Sequence, residues 1–327
     1  MPRYYTRVCN FYYGNKSKSL VYKKKSLPLN GNNQISFDKI ELITRRSKEI
    51  ISISEIGNLP EQIKKIVKKD LKIISQKIKF KNLSLKITPN IMGILNITPD
   101  SFSDGGKFNQ ANLALRQLNH LFKCGADIVD IGGESTRPGS KSISSKVEWN
   151  RIKKILKKID KKKIISLDTR KSDIMEKGIN LGVKLINDVS GLNYDKNSVK
   201  ILKNYKIPFV LQHSLGNPDK MQDNPRYKNV LLDIYDFFEE KIKFLRKVGV
   251  NHNNIILDPG IGFGKNLKHN MKIIKNISIY HTLGLPILIG ISRKKFIKEL
   301  SGINDSSFRL GGTISSSIFA MMQGVQI

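Results

Sequence analysis

Cysteine is nearly absent from this chain. Its 327 residues contain two, Cys9 and Cys124. No disulfide framework can be built from them, and no Cys-x-x-Cys pair or His-x3-His cluster offers a structural zinc site. Long apolar runs are missing too. None approaches the roughly 18 residues of a membrane span, and the opening MPRYYTRVCNFYYG lacks the apolar stretch of a secretory signal. These absences predict a cytoplasmic protein with no membrane partner. Acidic residues are few: 27 Asp+Glu against 58 Lys+Arg, a net charge of +31. With 39% hydrophobic and 26% charged residues, the composition supplies a sizeable core and argues against global disorder. The length allows one large α/β domain or two smaller ones.

The positive charge could mark nucleic acid or an anionic membrane as a partner. Its distribution argues otherwise. Residues 1–88 carry 20 Lys/Arg and 6 Asp/Glu, the denser share, yet the lysines there interleave with Ile and Leu, not with stacking aromatics. The charge reads as solvated faces, compatible with small anionic substrates and with no nucleic-acid function.

Residues 1–88 form a lysine-rich N-terminal extension. KSLVYKKKSLPL and QISFDKIELIT are strand-like runs separated by Asn30-Gly31, a strong hairpin signal. Asn58-Leu59-Pro60 then opens a helix whose apolar stripe is Ile63, Ile66, Val67, Leu71, Ile74 and Ile78. The expectation is a small ββα appendage, with a lysine-faced membrane-surface helix as the alternative.

From residue 89 to 327 short apolar runs alternate with amphipathic segments: IMGIL, ADIVDIG, KIISL, VKLI, IPFVL, NIILD and PILIGI, with Val325-Gln326-Ile327 opening an eighth. Seven or eight βα units in about 240 residues predict a (β/α)8 TIM-type barrel over a doubly wound sheet. The sequence ends inside that eighth strand, so the barrel is expected to be cut short there and prone to association. Catalytic groups of such barrels gather at the C-terminal ends of the strands. Asn96, Glu134, Asp168, Asn187, His213, Asp258 and Lys294 are therefore expected to converge, although each could instead cap the next helix.

The loops fit that expectation. NITPDSFSDGGKF (96–108) is rich in glycine and small polar residues and reads as a substrate lid. GGESTRPGS (132–140) offers hydroxyls and Arg137 to an anionic ligand. Asp168, Asn187 and Asp258 suit a flat heterocycle with adjacent N–H donors; metal ligation or paired acid chemistry stay open. DPGIGFGKN (258–266) matches neither a Walker A nor a dinucleotide loop, and its glycines are expected to admit a flat ligand with Phe263 stacking. GISRKKF (290–296) places Ser292, Arg293 and Lys294 at the seventh strand end. His213 is either core or a ligand contact.

Taken in order, ILNITPDSFSDGGKF, GADIVDIGGESTRPGS, SLDTRKS, INDVSGL, NPDKMQ, ILDPGIGFGK and GISRKKF resemble the dihydropteroate synthases of the pterin-binding enzyme superfamily, over about residues 88–327. The resemblance implies a transferase of folate biosynthesis that joins 6-hydroxymethyl-7,8-dihydropterin diphosphate to p-aminobenzoate, giving 7,8-dihydropteroate and pyrophosphate. It implies that Asp168, Asn187, Asp258 and Lys294 hold the pterin, and that Arg293 lies in the same substrate site. Asn96 would bind the accompanying Mg2+. Phe102, Asp104, Thr136, Arg137 and Pro138 would close over the reacting carbon, with Asp104 an electrostatic stabiliser. Pro138, Phe263, Ser292 and Lys294 would border the aminobenzoate slot. A homodimer is implied as well. The sequence departs from the family at VLQHSLGNP, where methionines usually flank the histidine, and in ending before the family's Arg-x-His pair. A pterin-dependent methyltransferase and a non-catalytic pterin- or anion-binding paralogue are the alternatives.

Overall fold

A computed structural model describes residues 2–80, 83, 85, 89–98, 110–135, 140, 142–215 and 225–327. The chain forms two compact units that interleave along the sequence. One unites Met1–Lys79 with Arg226–Glu239 and Asn266–Gln326. The other unites Phe80–Pro225 with Glu240–Lys265 and Ile327.

The first unit begins with β1 (Tyr5–Tyr13), α1 (Gly14–Tyr22), β2 (Leu27–Leu29), β3 (Asn32–Ile43), β4 (Lys48–Ser52) and α2 (Glu61–Ser75). The expected ββα appendage is thus a four-stranded antiparallel sheet with two helices. β3 is its centre, with β1 along one edge and β2 and β4 sharing the other. Asn30 and Gly31 both adopt positive φ, +55° and +67°, as a two-residue hairpin turn matched to strand twist requires. The expected first strand fails in its N-terminal part, which is helix α1. Ser17, Leu20 and Val21 turn inward there at i, i+3 and i+4; the stripe is helical but its first member is polar, which hid it. The stripe of α2 fares better. Val67, Leu71 and Ile74 are buried with Val8, Leu29, Phe37 and Ile40 in one apolar cluster. The face that could have met a membrane is spent on this core.

The second unit carries β5 (Met92–Asn96), α3 (Gln110–Lys123), β6 (Ile128–Gly132), α4 (Ser145–Leu156), β7 (Ile164–Asp168), α5 (Ser172–Asn180), β8 (Leu185–Asp188), α6 (Ser198–Tyr205) and β9 (Phe209–Gln212). The C-terminal part of α7 (Val230–Lys247) and β10 (Ile255–Asp258) complete it. Six strands pair in parallel and in strict chain order from β5 to β10. A doubly wound sheet would reverse direction at a switch point; sequential winding is that of a barrel. Strands β6, β7 and β9 are near-continuous apolar runs because they are covered on both faces: Ile128, Val129, Ile131, Ile165, Leu167, Phe209, Val210 and Leu211 are fully buried.

The remaining elements, α8 (Leu267–Lys275), α9 (Lys295–Ser301) and α10 (Leu310–Met322), belong to the first unit. The expected seventh strand is not regular. Ile287 alone forms a bridge. The expected eighth, at 325–327, is represented by Gln326, whose N–H donates to the Ile287 carbonyl (3.1 Å) while its Oε1 accepts from the Ile287 N–H (2.8 Å). Among the described residues the parallel sheet has six strands where seven or eight were expected.

Candidate active site

Strand register builds the site. Asn96 pairs with Gly132, Gly132 with Asp168, and Asp168 with Asn187. These four residues form one row across β5–β8, on one face, at the strand ends. Gly132 keeps the row open. A Cβ there would stand 3.4 Å from both Asn96 Oδ1 and Asp168 Oδ2, so the missing side chain leaves the two neighbours facing each other. Side chains two residues apart share a face, which puts Asp130 on this face one layer deeper. Asp258 pairs with Gln212, one layer further out on the same face, since Asn187 pairs with Val210.

Asp130 was not foreseen. It lies in the middle of Ile128-Val129-Asp130-Ile131, is buried, and accepts from Asn187 Nδ2 at 2.9 Å. The signal was present: an acid interrupting an apolar run of a strand buried on both faces is anomalous. Its contact turns the Asn187 amide so that Oδ1 is left over. Asp168 Oδ1 and Asn187 Oδ1 are buried acceptors with no hydrogen-bond partner among the described residues, whereas the Ser166 hydroxyl serves Asp130. Two such acceptors side by side are costly unless a ligand brings donors. Burial pushes the Asp130 carboxyl above its ordinary range. Burial, then the charge of Asp130, pushes Asp168 well above. Asp188 faces the other way. Its Oδ1 ties down the following turn through Ser190 N (2.8 Å) and Ser190 Oγ (2.6 Å), and burial raises it to about 6.

The loop after β10 departs from expectation. Gly260, Gly262 and Gly264 all have positive φ. A Cβ on Gly260 would fall 2.0 Å from the His213 carbonyl oxygen, and one on Gly264 2.8 Å from that of Leu215. These two glycines admit the neighbouring main chain of the loop after β9, not a flat ligand. Asp258 is buried and its Oδ1 accepts from the Gly260 N–H at 2.7 Å. Phe263 is half-buried. His213 is buried, and burial, then the Lys265 charge, hold its ring well below the usual histidine range.

Glu134 does not join the row. It accepts from Arg170 (3.2 Å from Nε and from Nη2), Lys171 Nζ (3.0 Å) and the Ile143 N–H (2.9 Å). Burial alone would raise its carboxyl; these donors overcome that and hold it below the usual range. Lys171 reaches on to Glu148 at 2.6 Å. The expected converging acid is instead an anchor between the segments that follow β6 and β7.

Ser292, Arg293 and Lys294 lie in the first unit. Ser292 and Arg293 are exposed, and Lys294 is half-buried where α9 begins. Arg293 has φ +53°, and its N–H donates to Thr313 Oγ1 at 2.9 Å. Phe102, Asp104, Thr136, Arg137 and Pro138 lie outside the described residues. Among the described residues no three His, Cys, Asp or Glu side chains gather as a metal site, and no helix is long and apolar enough to cross a membrane.

A sequentially wound parallel sheet whose strand ends carry buried acids and amides with open acceptors defines a class. The profile of the family described as "Pterin binding enzyme" matches residues 92–327. A dihydropteroate synthase of Clostridium beijerinckii is 40% identical over 249 residues, 76% of this chain and 90% of that protein. Similar solved structures include the following two. A Clostridium difficile dihydropteroate synthase, determined in the presence of pteroic acid, superposes with a TM-score of 0.70 at 38% identity, covering 75% of this chain and 91% of that one. The Xanthomonas albilineans dihydropteroate synthase with 4-aminobenzoic acid gives 0.68 at 33% identity, covering 73% and 85%. The chain belongs to the pterin-binding enzymes and, within them, to the dihydropteroate synthases. Its expected TIM-type barrel, transferase class and place in folate biosynthesis stand.

Proposed function

We propose that this enzyme joins 6-hydroxymethyl-7,8-dihydropterin diphosphate to p-aminobenzoate, with Asp168 and Asn187 of the row, Asp130 beneath them and Asp258 as its pterin pocket. One observation carries the assignment: the row holds two adjacent buried acceptors without donors, on Asp168 and Asn187, and the edge of a pterin supplies adjacent N–H donors. The C–O bond from the methylene carbon to the diphosphate breaks, the amine nitrogen forms the new C–N bond and loses a proton, and pyrophosphate leaves. An electron-rich pterin carries positive charge on that methylene as the bond breaks, so the protein's part is to bind, orient and stabilise charge. The row orients the ring. By the family resemblance, pterin binding is also assigned to Lys294 and Arg293, and aminobenzoate binding to Phe263, Ser292 and Pro138. The same resemblance assigns Phe102, Asp104, Thr136 and Arg137 roles at the reacting carbon.

Mg2+ belongs to this proposal. Asn96 Oδ1 is a neutral oxygen at an exposed strand end, a donor suited to an ion that takes few protein ligands and completes its shell with phosphate and water. Bound there with the diphosphate, the ion would offset leaving-group charge. A cytoplasmic setting suits the two free cysteines. A homodimer is part of the reading as well. It is supported by the exposed, charge-free face of α10 formed by Leu310, Ile314, Ile318 and Met321. Pyrophosphate release that requires both substrates tests the reaction. Asp258→Ala tests the pocket: pterin-analogue affinity measured by calorimetry should fall by about 2–4 kcal/mol, and an unchanged affinity removes Asp258 from it.

A further inference from the structure

We infer that Lys265 is a positioning residue for the amine substrate, clamping the loop after β10 to the end of β9 and so holding Phe263 at the aminobenzoate slot. The inference rests on the condensation proposed above. Lys265 is only 3% exposed. Its ammonium donates to the Phe263 carbonyl at 2.9 Å, to His213 Nδ1 at 3.1 Å and to the His213 carbonyl at 3.3 Å. Each of these acceptors can take an N–H of the ammonium. Two belong to the loop after β9 and one to the loop after β10, so a single group crosslinks them.

The surrounding main chain is built for the same approach. The His213 N–H donates to the Asp258 carbonyl at 2.8 Å, which carries the β9–β10 ladder one residue past the strands. Gly260 and Gly264 bring the second loop against His213 and Leu215. The Phe263 N–H donates to the Gly260 carbonyl at 3.1 Å, so Phe263 is held through both its N–H and its carbonyl. A buried ammonium is a poor choice for mere packing, since an apolar side chain of similar volume would avoid the desolvation cost. What the ammonium adds is direction: it fixes two carbonyls and one ring nitrogen at once. It also selects the histidine tautomer. Because His213 Nδ1 accepts, the ring is neutral and its proton sits on Nε2.

The test combines Lys265→Met with nitrogen NMR of the His213 ring. In the unaltered enzyme the ring should be neutral with the proton on Nε2. A proton on Nδ1, or a charged ring at neutral pH, overturns the clamp whatever the activity. Loss of condensation activity in the unaltered enzyme would sink the proposed function instead, and the NMR result would still decide the clamp. Lys265→Met should raise KM for p-aminobenzoate by about tenfold or more, with kcat changed less than about threefold and pterin-analogue affinity within about twofold. An unchanged KM, or pterin affinity falling in parallel, overturns the positioning role. Should that variant fold poorly, Phe263→Ala and Lys265→Arg keep the question open to measurement. A clamp acting through Phe263 predicts that Phe263→Ala raises the same KM, and that Lys265→Arg, which keeps the charge, retains affinity better than Lys265→Met where both can be assayed. A Phe263→Ala enzyme with an unaltered KM refutes it.

Discussion

The two sheets treat buried charge in opposite ways. In the antiparallel sheet of the first unit, the buried carboxylate Glu41 is met by Arg7 at 2.6 Å and Lys48 at 3.6 Å, and Thr6 donates to Asp70 at 2.6 Å. In the parallel sheet of the second unit, Asp168 and Asn187 each keep a buried acceptor open. Paired groups hold a structure together; unpaired ones raise its energy until a ligand arrives. Open acceptors alone do not mark a site, since Glu148 Oε1 and Asp188 Oδ2 are also unpaired among the described residues; what singles out Asp168 and Asn187 is that they are register neighbours at the strand ends.

Breaking the unpaired set should give the largest effect. Asp168→Asn removes a carboxylate that burial and Asp130 disfavour in its charged form. Pterin-analogue affinity should fall by about 30–1000-fold while thermal stability holds or rises, the signature of a residue kept for binding. Calorimetry and a melting curve on one preparation decide it; a variant that loses stability and keeps affinity would place Asp168 in the scaffold. Glu41→Gln is the mirror experiment. Leaving Arg7 short of its partner should cost about 1–3 kcal/mol of stability by denaturant titration, with pterin affinity unchanged.

The comparison can be sharpened by pH. His281 is fully buried in the first unit, with Nε2 2.8 Å from the Gln323 carbonyl and Nδ1 3.4 Å from Asn30 Nδ2. Burial lowers its pKa to about 4, against about 6.5 unfolded. Between those values the unfolded chain takes the proton and the folded one does not. This contribution is therefore fully present above pH 6.5 and is lost as pH falls toward 4, about 3 kcal/mol in all. Asp168 has the opposite sign: its raised pKa favours the folded state as pH falls. Denaturant midpoints of the parent and His281→Gln at pH 7 and pH 4.5 should differ in slope; equal slopes would mean that His281 titrates normally.

The smallest effect concerns charge at a distance. A chain of +31 attracts anionic substrates from solution. Raising salt from about 50 to 300 mM should lower kcat/KM a few-fold, with kcat nearly constant. A salt-independent kcat/KM would confine the lysines to solubility.

Much of this was legible in the residues. The alternation of apolar runs and helical segments announced a sequentially wound α/β fold, because a strand covered on both faces must be apolar throughout. The Asn30-Gly31 turn was legible because few residues other than glycine and asparagine adopt positive φ without strain. Asp168, Asn187 and Asp258 stood out as polar ends on apolar strands. Other features were decided only by packing. Whether Glu134 faced a ligand or an ion pair depended on Arg170 and Lys171, brought to it from another strand. The role of Asp130 needed the parallel register that sets it beneath Asn187. The glycines of the loop after β10 have the same sequence whether they face a ligand or the His213 carbonyl. Residue types and their spacing determine which elements form and which groups end them, since those depend on neighbours along the chain. What each group touches depends on register and on contacts between distant segments, and only the tertiary structure supplies those.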